Sequence, residues 1–183
     1  MEQGVTIRQF RKSDMERVRE IEGASMEYLT PLSLLSRYYP IPPEGFLVAE
    51  LNGSAVGFIV GNLDTGRNHL KEAHILSLAV DPACRRLGIG ATLVGTFIDR
   101  FKRHEIIRVR LEVKVRNVNA REFYRKLGFV EHQIIRGYYR MRGYLEDAVL
   151  FLKDVAPEDL ESKQFFSRQS GACQLACPHA RRS

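Results

Sequence analysis

The chain lacks what would place it in a membrane, a secretory pathway or a disulfide scaffold. No apolar run in its 183 residues approaches the roughly 20 that a membrane-spanning helix needs. Residues 1–12 alternate apolar with charged side chains and have no hydrophobic stretch of the kind a secretory signal carries. Cysteine is scarce: Cys84, Cys173 and Cys177 are three, an odd number too small for a disulfide framework, which points to a reducing compartment. Two phosphate signatures are also missing. There is no G-x-x-x-x-G-K-[ST] loop, and Gly88-Ile89-Gly90-Ala91 lacks the third glycine of a dinucleotide fingerprint. No internal repeat is visible. With 44% hydrophobic residues the chain can close a core, so a soluble cytoplasmic globular protein is expected.

Acidic residues are outnumbered, 22 against 28 basic ones, for a formal net charge of +6. Residues 157–183 carry only +1 of it. Much of the rest lies in Arg85-Arg86, in residues 100–110 and around Lys114 and Arg116. Such a patch suits any polyanion, a nucleic acid or a phosphorylated small molecule alike.

Periodicity gives the order β-α-α-β-β-β-α-β-α-β-β. A short strand over 5–11 precedes a helix with Ser13 as expected N-cap and Glu16 at the capping-box position. A second short helix is expected from Pro31 to Tyr39. Asn52-Gly53 joins two apolar runs, 45–51 and 54–61, as a hairpin; with no secretory signal, the sequon Asn52-Gly53-Ser54 reads as that turn alone. Residues 72–81 form a strand. Ile89, Leu93, Phe97 and Phe101 recur every four residues, predicting an amphipathic helix over 88–104. Over 106–115, Val109, Leu111, Val113 and Val115 alternate with Arg108, Arg110, Glu112 and Lys114. Asn119 is the expected cap of a helix that ends at Gly128. Strands over 129–136 and 144–152 follow, joined by a Tyr- and Arg-rich loop. Early and late hairpins with crossovers between them predict a mixed sheet. Beyond Pro157 the apolar periodicity stops, so 5–153 is expected to be one domain and 154–183 a poorly ordered tail.

The most informative segment is Ile75-Leu76-Ser77-Leu78-Ala79-Val80-Asp81-Pro82-Ala83-Cys84-Arg85-Arg86-Leu87-Gly88-Ile89-Gly90-Ala91. A strand runs into a basic, glycine-containing turn that opens a helix. Gly88 and Gly90 clear side chains from the positive helix end, so backbone N–H groups can approach a phosphate. The same residues also suit a simple flexible turn with a solvated basic pair.

This Arg-x-x-Gly-x-Gly/Ala pattern resembles the pyrophosphate loop of the GNAT superfamily of acetyl-CoA-dependent N-acetyltransferases. Leu111-Glu112-Val113-Lys114-Val115-Arg116-Asn117-Val118-Asn119-Ala120 followed by Phe123-Tyr124-Arg125-Lys126-Leu127-Gly128-Phe129 is similar to the L-E-V-x-x-x-N-x-x-A…Y-x-x-x-G-F segment of that superfamily. Tyr138-Tyr139 with Glu146-Asp147-Ala148 is similar to the ending of its ribosomal-protein-alanine and archaeal N-terminal acetyltransferases. The resemblance spans roughly residues 5–152. It implies an α/β (α+β) GNAT fold: a central mixed, mostly antiparallel sheet of six to seven strands flanked by about four helices.

The resemblance also implies roles. Leu78, Ala79 and Val80 would pair with pantetheine, and Arg85, Arg86, Leu87, Gly88, Ile89, Gly90 and Ala91 would hold the pyrophosphate of acetyl-CoA, with Asn119 a further contact. Glu112 would be the base, His74 a second base or amine-orienting group, and Tyr124 the donor to the leaving thiol, also touching the cosubstrate. Tyr28, Leu29, Tyr138 and Tyr139 would line the acceptor groove. The implied activity is acetylation of protein N-termini by direct attack in a ternary complex. An α-amine, with a reference pKa of about 7.7–8.0, needs less help to lose its proton than lysine at about 10.4. Each role has a plainer structural counterpart: Glu112 paired with Arg110 or Lys114 on a solvated face, His74 an edge histidine, Tyr124 core packing. Protein or peptide N-termini, ribosomal proteins among them, are the implied partners of a monomer or weak oligomer, and the cofactor reading argues against direct nucleic-acid binding. No metal is expected, since Cys173, Cys177 and His179 offer three donors without a fourth at zinc spacing. Alternatives of the same fold are acetylation of lysine side chains or small amines. A non-catalytic ribosome- or RNA-associated module, or an acetyl-CoA sensor, is the alternative of a different class.

Overall fold

The computed structural model describes residues 4–25, 43–65, 70–141 and 144–155. Seven strands form one sheet in the order β1-β2-β3-β4-β5-β7-β6. They are β1 (Thr6–Gln9), β2 (Phe46–Leu51), β3 (Ser54–Thr65), β4 (Lys71–Val80), β5 (Arg108–Lys114), β6 (Val130–Met141) and β7 (Tyr144–Asp154). Every neighbouring pair is antiparallel except β4 and β5, which run parallel and are joined by a helical crossover. Three α-helices lie among the described residues: α1 (Met15–Ser25), α2 (Ile89–Lys102) and α3 (Val118–Lys126). The helix expected at residues 31–39, the groove residues Tyr28 and Leu29, and residues 156–183 of the expected tail lie outside the described residues. Asp154 and Val155, assigned to that tail, instead continue the domain, Asp154 ending β7 and Val155 N–H donating to the Ile107 carbonyl at 3.0 Å.

The two faces of the sheet carry separate cores. On one face α2 contributes Ile89, Leu93, Phe97 and Phe101, the four-residue spacing seen in the sequence, all buried against Leu47, Ile59, Leu111, Val113 and Phe151. Tyr124 of α3 and Phe129 join this cluster. On the other face α1 packs Val18 and Ile21 over Val48, Phe58, Val60 and Ala79. The β2–β3 hairpin turns at Asn52 (φ 55°) and Gly53 (φ 77°), the left-handed pair that a tight hairpin needs.

β4 changes phase along its length. Ala73 and Ile75 face the α2 core, but so do Leu78 and Val80, two sets of opposite parity. The register to β3 shifts between Gly61↔Ile75 and Val60↔Ser77, a bulge that accounts for the flip. It also lets His74, before the bulge, and Ala79, after it, occupy the α1 side.

Both expected helix caps are displaced. A single 3-10 turn, Lys12–Asp14, takes Ser13 into its interior before α1 begins, and the Asp14 carboxylate accepts from the Arg11 backbone N–H at 2.7 Å, at the start of that turn. Arg8 fixes that carboxylate through two bonds, 2.7 and 2.8 Å. At α3 the cap is Asn117, whose side chain accepts from Ala120 N at 3.1 Å, because the turn after β5 ends there; Asn119 lies inside the first turn and is exposed. Tyr138 and Tyr139, expected in a loop, belong to β6 instead.

Candidate active site

Pairing between β4 and β5 covers Glu72↔Arg108 to Ile75↔Leu111 and then stops. Beyond it both strands continue, β4 to Val80 and β5 to Lys114, without facing each other in register. The sheet therefore opens into a wedge between residues 76–80 and 112–114. Backbone groups on the open side of β4 are available to a ligand laid along it, while β3 pairs the other side through Val80.

The tip of β4 is fastened to α1. Arg17 bonds the Asp81 carboxylate and the Ala55 carbonyl, and Ser25 Oγ donates to the Val80 carbonyl at 3.1 Å. Asp81 also accepts from Ala83 N, which shapes the turn into α2. Arg85, Arg86, Leu87 and Gly88 are all exposed there, Leu87 to 64%. Gly88 caps α2 with φ 77°, a conformation that suits glycine; Thr92 Oγ1 donates back to its carbonyl at 3.2 Å, and among the described residues no side-chain cap bonds the first N–H groups of the helix. A Cβ on Gly90 would lie 3.2 Å from the Phe123 ring, so the helix start and α3 approach closely here. A bare, uncapped helix N-terminus flanked by two arginines fits a pyrophosphate in charge and in access.

At the vertex of the wedge, β4 and β5 bring two of the sequence candidates together. His74 Nε2 lies 2.6 Å from Glu112 Oε2. His74 is not an edge residue: β4 is central, and the residue is only 8% exposed. Glu112 is not on a solvated face either, with its side chain 6% exposed. An ionised carboxylate only accepts, so Nε2 carries the hydrogen and Nδ1 is left as the ring's second nitrogen. Arg110 Nη1 donates to the other carboxylate oxygen, Oε1, at 2.9 Å. Lys114, the other partner expected of Glu112, pairs with Glu146 at 2.8 Å. Burial acts to raise the Glu112 pKa, but hydrogen bonding and charge from His74, with Tyr138 and Arg110 adding to them, hold it below its ordinary value.

The tyrosines come from a second bulge. The β6–β7 register shifts between Ile135 and Tyr139, where Gly137 has φ 59° and donates to Asp147 Oδ1 at 2.8 Å. Tyr138 and Tyr139 meet edge to face at 5.0 Å. Tyr139 OH donates to the Glu112 carbonyl at 3.1 Å, and the Tyr138 hydroxyl reaches the Glu112 carboxylate. Burial, then the charges of Glu112 and Glu146, raises the Tyr139 hydroxyl to about 12, so it stays protonated. Tyr124 sits apart, in the α2-side core against Phe123, Phe129 and Phe151, and burial together with Tyr139 holds its pKa above the ordinary value.

Three polar residues beside the pair gave no functional signal in the sequence. β3 extends past the apolar run to Thr65, placing Asn62 opposite His74 and Asp64 opposite Glu72. Asn62 Oδ1 is buried without a hydrogen-bond partner among the described residues. Arg110, read only as a surface partner, spans Glu112 and Asp64. The alternation of Val60, Asn62 and Asp64 was the available hint. Among the described residues no cluster of three or more His, Cys, Asp or Glu side chains is arranged to hold a metal, and Cys173, Cys177 and His179 lie outside them. No helix among the described residues is long and apolar enough to cross a membrane.

The chain belongs to the acetyltransferase (GNAT) family, whose profile matches residues 15–129. It is 38% identical over 148 residues to an uncharacterised N-acetyltransferase of Methanocaldococcus jannaschii, covering 80% of this chain and 90% of that one. It is 32% identical over 141 residues to an N-alpha-acetyltransferase of Sulfurisphaera tokodaii, covering 73% and 84%. The crystal structure of Ard1 from Thermoplasma volcanium superposes with a TM-score of 0.75 at 35% identity, covering 84% of this chain and 99% of that one.

Proposed function

We propose that this acetyltransferase acts on the N-terminal α-amino group of proteins, taking the acetyl group from acetyl-CoA by direct attack in a ternary complex. The observation that carries the reading is the 2.6 Å His74–Glu112 contact at the wedge vertex, walled by Tyr138 and Tyr139. The N-alpha-acetyltransferase name of the Sulfurisphaera relative supports it.

Acetyl-CoA supplies the acyl group as a thioester. Residues 78–80 offer backbone groups to its pantetheine arm, and the N–H groups of this strand polarise the thioester carbonyl as negative charge develops on it. Residues 85–91 take the pyrophosphate, with Asn119 a further contact to the cosubstrate. The amine must reach the carbonyl uncharged. His74 and Glu112 accept its proton as a unit, Glu112 holding the imidazole orientation and balancing its charge when it is protonated. Tyr124 donates to the departing thiolate. Tyr28 and Leu29 join Tyr138 and Tyr139 around the acceptor. In this reading 5–153 is the catalytic domain, working as a monomer or weak oligomer on protein N-termini, ribosomal proteins among them, in the cytoplasm.

The test is thiol release from acetyl-CoA with peptides starting in Ser, Ala or Met. Turnover on free but not N-terminally blocked peptides is expected. Turnover only on lysine side chains or small amines would favour the alternative acceptors, and no turnover with tight acetyl-CoA binding would point to a sensor.

A further inference from the structure

We propose that Arg110 is the positioning residue of the His74–Glu112 pair, and that Asp64 is the anchor that aims it. The inference rests on the reading that this pair accepts the amine's proton.

The two oxygens of Glu112 are divided. Oε2 meets His74 Nε2 at 2.6 Å, and Oε1 accepts from Arg110 Nη1 at 2.9 Å. The Tyr138 hydroxyl also reaches this carboxylate, and Arg110 is the charged donor on the oxygen that His74 does not take. A donor on the second oxygen fixes its plane, and with it the direction in which the imidazole is held. Arg110 is itself held from the far side: Nη2 donates to Asp64 Oδ2 at 2.7 Å. Its planar fork is what lets one side chain grip two carboxylates, a task a lysine ammonium cannot duplicate. The sheet sets this up. Arg110 and Glu112 are two residues apart on β5 and share a face, His74 pairs with Arg110 in register, and Asp64 stands one strand further on, opposite Glu72. Exposure falls along the chain of contacts, from 49% at the Asp64 side chain through 24% at Arg110 to 6% at Glu112. A solvated carboxylate thus orients a buried one through a cation.

The charged surroundings are complete enough to give a sign. Around Glu112 and Arg110 stand His74 and Glu72 from β4, Asp64 from β3, Arg108 and Lys114 from β5, and Tyr138 and Tyr139 from β6. Asp154 and Glu146 of β7 pair with Arg108 and with Lys114. Removing the Arg110 charge leaves the pair with more negative surroundings, so it takes up a proton more readily and the acidic limb of the rate profile moves up.

The test compares wild type with Arg110→Gln, Arg110→Lys and Asp64→Asn. It follows kcat and KM on any amine the wild type acetylates, the pH profile, and the carboxyl-carbon NMR titration of Glu112 without substrate. Arg110→Gln should lower kcat about 10- to 100-fold with KM for acetyl-CoA within about twofold. Its acidic limb and the Glu112 carboxyl titration should both move to higher pH, because the Arg110 charge that helps hold Glu112 down is gone. Arg110→Lys should restore the limb and recover only part of kcat. Asp64→Asn, on an exposed side chain, should cost a few-fold in kcat while folding normally. Wild-type kcat and limb in Arg110→Gln, an unmoved Glu112 titration, or a Lys variant no better than Gln in its limb would overturn the proposal. If Arg110→Gln does not fold, wild-type kcat in Asp64→Asn together with a displaced limb in Arg110→Lys does so. Wild-type turnover restricted to lysine defeats the N-terminal reading while the variants still report on Arg110. If the wild type turns over no amine, the Glu112 titration in Arg110→Gln decides: movement to higher pH supports the proposal and an unmoved titration overturns it.

Discussion

Gly61 stands where β3 meets both the bulge and the aromatic core. A Cβ there would lie 2.4 Å from Phe97 Cζ and 2.5 Å from the His74 carbonyl oxygen. Ordinary carbon contacts sit at about 3.5–4.0 Å, so an alanine demands roughly 1 Å of movement on each side. Neither side yields easily. Phe97 is fully buried and stacked on Phe101 at 4.3 Å, and the other contact is backbone of a central strand. Overpacking of this kind costs about 1–3 kcal/mol, and with both neighbours confined Gly61→Ala should lie at the upper end. For a domain of this size each kcal/mol is about 2–4 °C, so the melting temperature should fall by roughly 4–12 °C. The control is Gly95→Ala, in the exposed interior of α2 with nothing within 4 Å of its Cβ, which should gain about 0.5–1 kcal/mol. Any displacement of the His74 backbone also moves its imidazole. Gly61→Ala should therefore lose on the order of 10²-fold in kcat, with little change in KM for acetyl-CoA. Calorimetric melting and steady-state kinetics on the same samples read both effects. A melting temperature within about 1 °C of wild type, or wild-type kcat, would refute the packing described around the bulge.

Further expectations follow from single contacts. Gly88→Ala places a side chain at φ 77° without a clash, since nothing lies within 4 Å, so its strain of about 1–2 kcal/mol should appear as a raised KM for acetyl-CoA with a native circular dichroism spectrum; an unchanged KM would count against this loop as the pyrophosphate site. Tyr124→Phe removes a hydroxyl from an aromatic cluster, so melting should change little while kcat falls about 10²-fold; equal kcat would reduce Tyr124 to packing. Asp14 is held below its ordinary pKa first by its hydrogen bond to Arg8, against burial, and its stabilisation is therefore present above about pH 4 and lost as pH falls through the lower folded value. Asp14→Asn should cost about 1.5–3 kcal/mol near neutrality, and urea melts should show that gap closing below about pH 4; a pH-independent gap would contradict the ion-pair origin.

Much of this architecture was legible because periodicity reports burial. Ile89, Leu93, Phe97 and Phe101 predicted α2, Asn52-Gly53 predicted the hairpin, and the alternation from Val109 to Val113 predicted β5. What periodicity does not report is which strand lies alongside. The bulge at β4 is invisible in a run of apolar residues, so His74 read as a residue at a strand's start although it packs between β3 and β5. For the same reason Glu112, on the polar side of β5, read as solvated; it is covered by residues from β4 and β6 that lie far away in the sequence. The caps failed on a different ground. Ser13 falls inside the 3-10 turn that precedes α1, and Asn119 has a second asparagine two residues earlier, Asn117, which the turn after β5 puts at the cap. The glycine-containing turn before α2 was legible because glycine spacing states backbone requirements directly, and Gly88 takes the left-handed φ of 77° there.

The central claim is the identity of the acceptor nitrogen. A peptide with an N-terminal serine and one internal lysine offers both amines in one molecule. Partial acetylation with acetyl-CoA at pH 7.5, followed by fragment mass spectrometry, locates the product. The account predicts the acetyl group on the α-nitrogen; acetyl on the lysine ε-nitrogen would contradict it.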